Sequence, residues 1–199
     1  MVCTRLYLCR HGEVVGDGRR RYNGHRDVDI TGNGVAQMER LRERLTDKPL
    51  VALYSSDLIR TVKGAEIIGE RHAAPKVVVP EFRERNVGLW EGMAFEEIQD
   101  VYPVEWNAWL GDVMNFKPPE GESLAEVAGR VLPPLREIVE KHMGEEILLL
   151  AHGGVNRVIL SDAMQLDLKH VFRIEQHYGA LNIIDYYDDG MSVVKLLNG

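Results

Sequence analysis

The sequence predicts an α/β fold: a three-layer sandwich in which a mostly parallel sheet carries helices on both faces, with room for an antiparallel edge strand and a small helical lid. Short apolar runs alternate with segments whose apolar residues recur at helical spacing. Strands alternating with helices imply parallel pairing, because each helix serves as a crossover covering one face of the sheet. The last two apolar runs are separated only by a turn, so they read as an antiparallel hairpin.

The elements follow in chain order. "LYLC" (6–9) is a short buried strand. Thr31 is a helix N-cap, followed by Val35, Met38, Leu41 and Leu45 at helical spacing. "VALYSS" (51–56) is the next strand, and Leu58, Val62, Ala65 and Ile68 form a second helical stripe. "KVVV" (76–79) is a further strand. From Phe82 to Gly121 the chain holds Trp90, Trp106, Trp109, Pro103, Pro118 and Pro119, which suits a crossover elaborated into a small helical lid at about 93–121. Ser123 and Glu126 form a capping box ahead of Leu124, Val127, Val131, Leu135 and Ile138. Pro133 and Pro134 are expected to kink or split that helix, since each lacks an N–H and crowds the preceding turn. "EILLLA" (146–151) is another buried strand. "ALNIIDYY" (180–187), the turn "DDG" and "MSVVKLL" (191–197) complete the hairpin. With no low-complexity segment and no repeat of solenoid length, residues 1–199 read as a single domain with the lid as an insertion.

Composition narrows the class of partner. The chain has 199 residues, 45% hydrophobic, enough to bury a core. A net charge of -7 argues against a general nucleic-acid footprint, although a basic patch can be local. Cys3 and Cys9, the only cysteines, lie roughly 20 Å apart along an extended segment and cannot bridge. Two thiols without a bridge suit a reducing compartment. No stretch has signal-peptide character or reaches a membrane span of about 18 apolar residues. A cytoplasmic protein with no membrane partner is expected, as monomer or homodimer.

In open α/β sheets ligands collect beyond the carboxyl ends of the strands. After "LYLC" come Arg10, His11 and Gly12; after "VALYSS" come Asp57 and Arg60; after "EILLLA" come His152, Gly153 and Gly154. A lone histidine at a strand end is more often structural, and a single arginine in a first helical turn, against the macrodipole, means little. Two His-Gly strand ends joined by two arginines fit an anion site better than a core. Guanidinium forks match phosphate or carboxylate oxygens, and the glycines let backbone approach a ligand. Two histidines with a carboxylate can also hold a metal. That ranks lower, because Arg10 and Arg60 would place cations beside a cation, and no metal or other cofactor is expected. Metalloprotease, serine-hydrolase, Walker and dinucleotide motifs are absent from the sequence. "DVDITGNG" (27–34) has the look of a calcium loop, but its twelfth position is Met38 rather than Glu.

With "RHG" and a distant "HGG", the chain resembles the histidine phosphatase superfamily, also called phosphoglycerate mutase-like. Six segments carry the resemblance in order: "RHGE" (10–13), "YNGHRDVDITGNG" (22–34), "YSSDLIRTVKGAEI" (54–67), "FRERNVGLWEGMAFEEI" (82–98), "PPEGESLAEVAGRV" (118–131) and "LLLAHGGVNR" (148–157). It implies that Arg10, His11, Arg60 and His152 form a phosphate pocket with His11 as nucleophile, and that Glu84 is the acid-base residue. It also implies that Asn23, Gly24 and Gly153 lie against the phosphate or leaving group. One departure stands out: Asp17 occupies a place where the family often has an asparagine donor. A carboxylate there would repel phosphate, so either Asp17 turns away and Asn23 serves, or the loop is set differently.

These residue types suit phosphoryl transfer. A histidine nucleophile must be neutral, and neighbouring arginines lower its pKa below the ordinary ~6.5. Its other ring nitrogen is expected to bond a backbone carbonyl, fixing the tautomer. The arginines and His152 are expected to face the equatorial oxygens, where transition-state charge sits. Glu84 would protonate the leaving alkoxide and then act as base on water. From spacing alone, Glu81 and Glu91 compete with Glu84. His25, His72, His142, His170 and His177 read as surface or structural, and the run Arg19-Arg20-Arg21 as a solvated loop that can draw in an anion.

The short chain, a lid whose only cation is Lys117, and Tyr102, Trp106, Trp109 and Phe116 point to an apolar leaving group and water as acceptor. The resemblance runs closest to small bacterial phosphatases, including those acting on α-ribazole 5'-phosphate in cobalamin assembly, with lid aromatics able to stack on a base. A cofactor-dependent phosphoglycerate mutase and a non-catalytic phosphate-binding regulatory protein are the alternatives.

Overall fold

Cys3–Arg10 forms strand β1 because its alternate residues have two different apolar faces to fill: Leu6 and Leu8 face one core cluster, Tyr7 and Cys9 the other. A strand buried on both faces needs no polar alternation. The computed structural model describes residues 1–16 and 21–199; Asp17, Arg19 and Arg20 lie outside the described residues. After β1 come α1 (Gly32–Leu45), β2 (Leu50–Ser55), α2 (Ile59–Gly69), β3 (Lys76–Val78), α3 (Phe95–Val101), α4 (Pro103–Gly111), α5 (Leu124–Lys141), β4 (Glu146–Ala151), α6 (Gly153–Ala163), β5 (Leu181–Tyr187) and β6 (Ser192–Leu196).

The strand order is β3-β2-β4-β1-β5-β6. β3, β2, β4 and β1 pair in parallel, while β5 runs antiparallel to β1 and β6 antiparallel to β5. One core lies between the sheet and α5 and α6, built on Leu6, Leu8, Ile147, Leu149, Val127, Val131 and Val155. The opposite core packs Met38, Leu41, Leu45, Ala65 and Ile68 of α1 and α2 on Tyr7, Leu53, Leu148 and Leu150. The expected three layers are therefore present. No helix among the described residues is long and apolar enough to cross a membrane.

Several expectations need correction. β3, Lys76–Val78, ends one residue short of the expected 76–79 and is an outer strand whose Val77 and Val78 are 38% and 49% exposed. An apolar run alone does not distinguish an edge from a centre. Val35 is likewise exposed, and Gly34 takes its place on the buried face of α1. α5 is one continuous helix of 18 residues through Pro133 and Pro134, not two. Prolines in a helix interior cost ~3 kcal/mol or more. Burial of Val127, Val131, Leu135 and Val139 on one side offsets that cost while the Pro133 ring faces solvent. The caps at Thr31 and Ser123 form as expected, Thr31 Oγ1 accepting from Gly34 N and Ser123 Oγ from Glu126 N.

Trp90, Trp106, Trp109, Val87 and Ile98 make a third cluster, with Tyr102 and Phe116 packed against it. The aromatic residues of 93–121 are thus mostly the interior of α3 and α4. Trp106 and Trp109, each 7% exposed, are not a stacking platform for a base, and their expected role in that respect is withdrawn.

Candidate active site

Arg10 pairs with Ala151 where β1 and β4 end side by side. The next residues, His11 and His152, consequently sit together, their ring centroids 5.2 Å apart and nearly edge to face. His11 is 5% exposed. Its Nδ1 lies 2.8 Å from the carbonyl oxygen of Gly12. A carbonyl only accepts, so Nδ1 carries the proton and Nε2 keeps its lone pair. Burial, then Arg10 and Arg60, push its pKa well below the ordinary 6.5. The expected direction and tautomer hold, with burial as the leading cause.

Arg60 is 1% exposed in the first turn of α2. Its Nη2 donates to Gly24 O at 2.6 Å, Nη1 to Arg26 O at 2.7 Å, and Nε to His152 Nδ1 at 3.3 Å. Because Nδ1 of His152 accepts, its Nε2 donates to Ser56 Oγ at 2.8 Å. Ser56 Oγ in turn lies 2.8 Å from Thr61 Oγ1. Both nitrogens of His152 are thereby engaged and the ring is wholly buried. His152 stands behind the cavity as a prop for Arg60 and a wall for His11, rather than facing it as expected. Burial, followed by Arg60, lowers its pKa well below 6.5.

Glu84 lies between two short 3-10 turns, Pro80–Phe82 and Gly88–Trp90. Its Oε2 accepts from Gly154 N at 3.0 Å and its Oε1 from Arg85 N at 2.9 Å. The segment is held on both sides. Arg83 forks onto Asp57 at 2.6 Å, and Arg130 of α5 donates to the carbonyls of Arg83 and Glu84 at 2.8 and 2.9 Å. Glu91, a competing acid by spacing, accepts instead from the backbone amides of His25, Arg26 and Val87. Glu81 is exposed. Gly24 shows why glycine is needed in the loop that Glu91 holds: φ is +36°, and a Cβ would fall 2.0 Å from Glu91 Oε1.

These pieces line a cavity of about 190 Å³: Arg10, His11, Arg60 and Glu84, with Asn23, Gly24 and Gly153. Of the eight predicted site residues only His152 does not reach it. The lining also holds Arg21, Arg85, Arg157, Phe95, Phe172 and Tyr178, of which only Arg21 had drawn attention in the sequence. Arg157 sits one turn after the His-Gly-Gly strand end, a spacing that could have flagged it. Tyr178 and Phe172 carried no such signal.

Gly154 offers a direct test of Glu84. A Cβ there would lie 2.5 Å from Glu84 Oε1, the tip of a movable side chain. Gly154→Ala is expected to fold normally while pushing the carboxylate aside, lowering kcat by about 10- to 100-fold. Thermal melting and steady-state kinetics on one preparation separate the two effects.

The buried imidazoles also set a pH dependence. In the unfolded chain both titrate near 6.5; in the folded protein both are held neutral to well below it. The unfolded state binds more protons as pH falls below 6.5, so stability is lost in that direction. The slope is roughly 1 kcal/mol per pH unit from each ring until the folded-state pKa is reached. Urea midpoints between pH 7.5 and 5 measure it, and His152→Asn flattens the slope.

The model of the histidine phosphatase superfamily (branch 1) matches residues 6–199. The chain belongs to that superfamily. Among curated relatives of this histidine phosphatase is the metal-independent phosphoserine phosphatase of Arabidopsis thaliana, 34% identical over 78% of this chain and 67% of the relative. The YhfR structure from Bacillus stearothermophilus superposes with a TM-score of 0.89 at 29% identity, covering 97% of this chain and 96% of YhfR. The α-ribazole phosphatase from Shigella flexneri shares the fold, with a TM-score of 0.89 over 98% of this chain and 96% of that one. Its 24% identity carries nothing beyond the fold. The family match over nearly the whole chain, with a phosphatase among the relatives above 30% identity, makes the chain an enzyme of phosphate-ester chemistry.

Proposed function

We propose that this histidine phosphatase hydrolyses a small phosphorylated metabolite through a phosphohistidine at His11. The observation that carries the reading is a buried, neutral imidazole whose Nδ1 is locked on Gly12 O, in a cavity also lined by Arg10, Arg60 and Glu84. Nε2 attacks phosphorus, the new P–N bond forms, and the ester P–O bond breaks. Arg10 and Arg60 meet the charge on the equatorial oxygens. Glu84 delivers a proton to the departing alkoxide and then takes one from the water that cleaves the P–N bond. No step calls for a metal. The segment 93–121 serves as the lid: Phe95 lines the cavity, and Trp109 packs on Phe172 at 5.6 Å.

The lining bears on the leaving group. Arg21, Arg85 and Arg157 join Arg10 and Arg60, while Glu84 is the only acidic side chain among the described lining residues. Arg21 is paired with Glu97, and Arg85 donates to the carbonyls of Glu122 and Phe116. Even so, the balance favours a phosphomonoester with a second anionic group, such as a carboxylate, over an uncharged leaving group. Phe95 and Phe172, 39% and 52% exposed, favour the second reading, an apolar base as in α-ribazole 5'-phosphate. Phosphate release from O-phosphoserine, 3-phosphoglycerate, α-ribazole 5'-phosphate and p-nitrophenyl phosphate ranks these, with a parallel assay for 2- and 3-phosphoglycerate interconversion. Interconversion outrunning phosphate release would replace the phosphatase reading with a mutase.

A further inference from the structure

We propose that Tyr178 is a positioning residue for Arg10, and that residues 176–180 are a strap that sets the Arg10-His11 pair. The inference rests on the phosphatase reading above. Four contacts define the strap. Arg10 N donates to Ala180 O at 3.0 Å, and Gly179 N donates to His11 O at 3.1 Å. Arg10 Nη1 donates to Gln176 O at 2.6 Å. The guanidinium carbon of Arg10 lies 4.1 Å from the centre of the Tyr178 ring. Backbone of the nucleophile and side chain of its neighbouring cation are therefore held by the same five residues.

The strap is itself keyed into the core. Gln176, Asn156 and Asn182 are all fully buried. Gln176 Nε2 donates to Asn182 Oδ1 at 2.8 Å, and Asn182 Nδ2 donates to Gln176 Oε1 at 2.9 Å and to Leu8 O of β1 at 2.9 Å. Asn156 Nδ2 reaches Gln176 Oε1 at 3.3 Å. The reciprocal Gln176–Asn182 pair, tied to β1 through Leu8 O, specifies one arrangement, because any shift leaves desolvated polar groups unpaired. Gly179, at φ +68°, makes the turn that brings the ring back under Arg10.

Tyr178 does two things in this position. Its ring face attracts the guanidinium, and its bulk keeps water from that side, so the positive charge acts on the cavity with less screening. The ring also lies 5.6 Å from that of His11 and lines the cavity. Both effects belong to the aromatic face and not to the hydroxyl.

The test uses the whole chain, with p-nitrophenyl phosphate as substrate and vanadate as probe of the phosphate cup. Tyr178→Leu is expected to lower kcat/KM and weaken vanadate inhibition together by roughly 3- to 30-fold. Tyr178→Phe, which keeps the ring face, should recover most of both. In an Arg10→Lys background Tyr178→Leu should have little further effect, because the group it positions is gone. A merely structural tyrosine would lower the melting temperature and leave vanadate inhibition unmoved. Wild-type vanadate inhibition in Tyr178→Leu, a Phe variant as impaired as Leu, or full additivity with Arg10→Lys would each overturn the proposal. Wild-type protein that releases no phosphate from any monoester would instead overturn the phosphatase reading, so the two failures are distinct.

Discussion

His11→Ala is expected to abolish phosphate release from p-nitrophenyl phosphate, with a loss in kcat of at least about 10³-fold and toward the ~10⁶-fold seen when a nucleophile is taken from a preorganised site. The size follows from what the ring does. It supplies the attacking lone pair, and nothing else among the described residues lining the cavity has a neutral nitrogen nucleophile. Arginines are permanently charged, and the His152 nitrogens are committed to Arg60 and Ser56. The fold should survive, since the substitution gives up two ring contacts, with His152 and Tyr178, and one hydrogen bond to Gly12 O. An alkaline detergent quench of wild-type protein with phosphate-labelled substrate should trap label on protein in an acid-labile, base-stable form, and His11→Ala should trap none. Label retained by the variant, or wild-type rates of turnover, would dismiss His11 as nucleophile.

How much of this could be read in the residues depends on the range of the forces involved. His11, His152, Arg10 and Arg60 were legible because each follows an apolar run that becomes a strand, and parallel strands place their carboxyl ends at one edge. The tautomer of His11 was legible from chemistry, since a nucleophilic nitrogen requires the other to be tied. The partners that hold the site were not. Glu91 bonds three amides of the loops beside Gly24. Arg130 staples Glu84 from a helix 46 residues on. Tyr178 reaches Arg10 from the far end of the chain. None of these pairings leaves a periodic trace, because they arise only once distant elements pack. The engaged state of His152 is hidden for the same reason: the hydroxyl of Ser56 and the fork of Arg60 must first converge on it. Trp106 and Trp109 misled because aromatic composition is the same for a cluster that fills its own interior and one that stacks on a ligand.

Arg60→Met should cost both activity and stability, and the two losses have separable causes. The guanidinium serves three acceptors at once, Gly24 O, Arg26 O and Nδ1 of His152, at 2.6, 2.7 and 3.3 Å. Met matches much of the stem but offers none of them a proton, so acceptors beside the cavity lose their partner. Unsatisfied buried groups cost ~1–3 kcal/mol each, partly relieved here because solvent in the cavity can reach the loop. A net loss of about 2–4 kcal/mol is expected in urea unfolding. Activity falls for a different reason, the loss of a fixed cation beside the phosphoryl oxygens, with kcat down by about 10²- to 10³-fold. Arg60→Lys separates these causes. It keeps the charge but is a point donor on a flexible stem and cannot span all three acceptors. Lys should restore part of the rate by attraction to the phosphate dianion while the loop at Gly24 and the ring of His152 stay loosened, so stability recovers less than activity. If Lys restored stability fully and activity not at all, Arg60 would be a brace for the 23–26 loop and the phosphate would be held elsewhere.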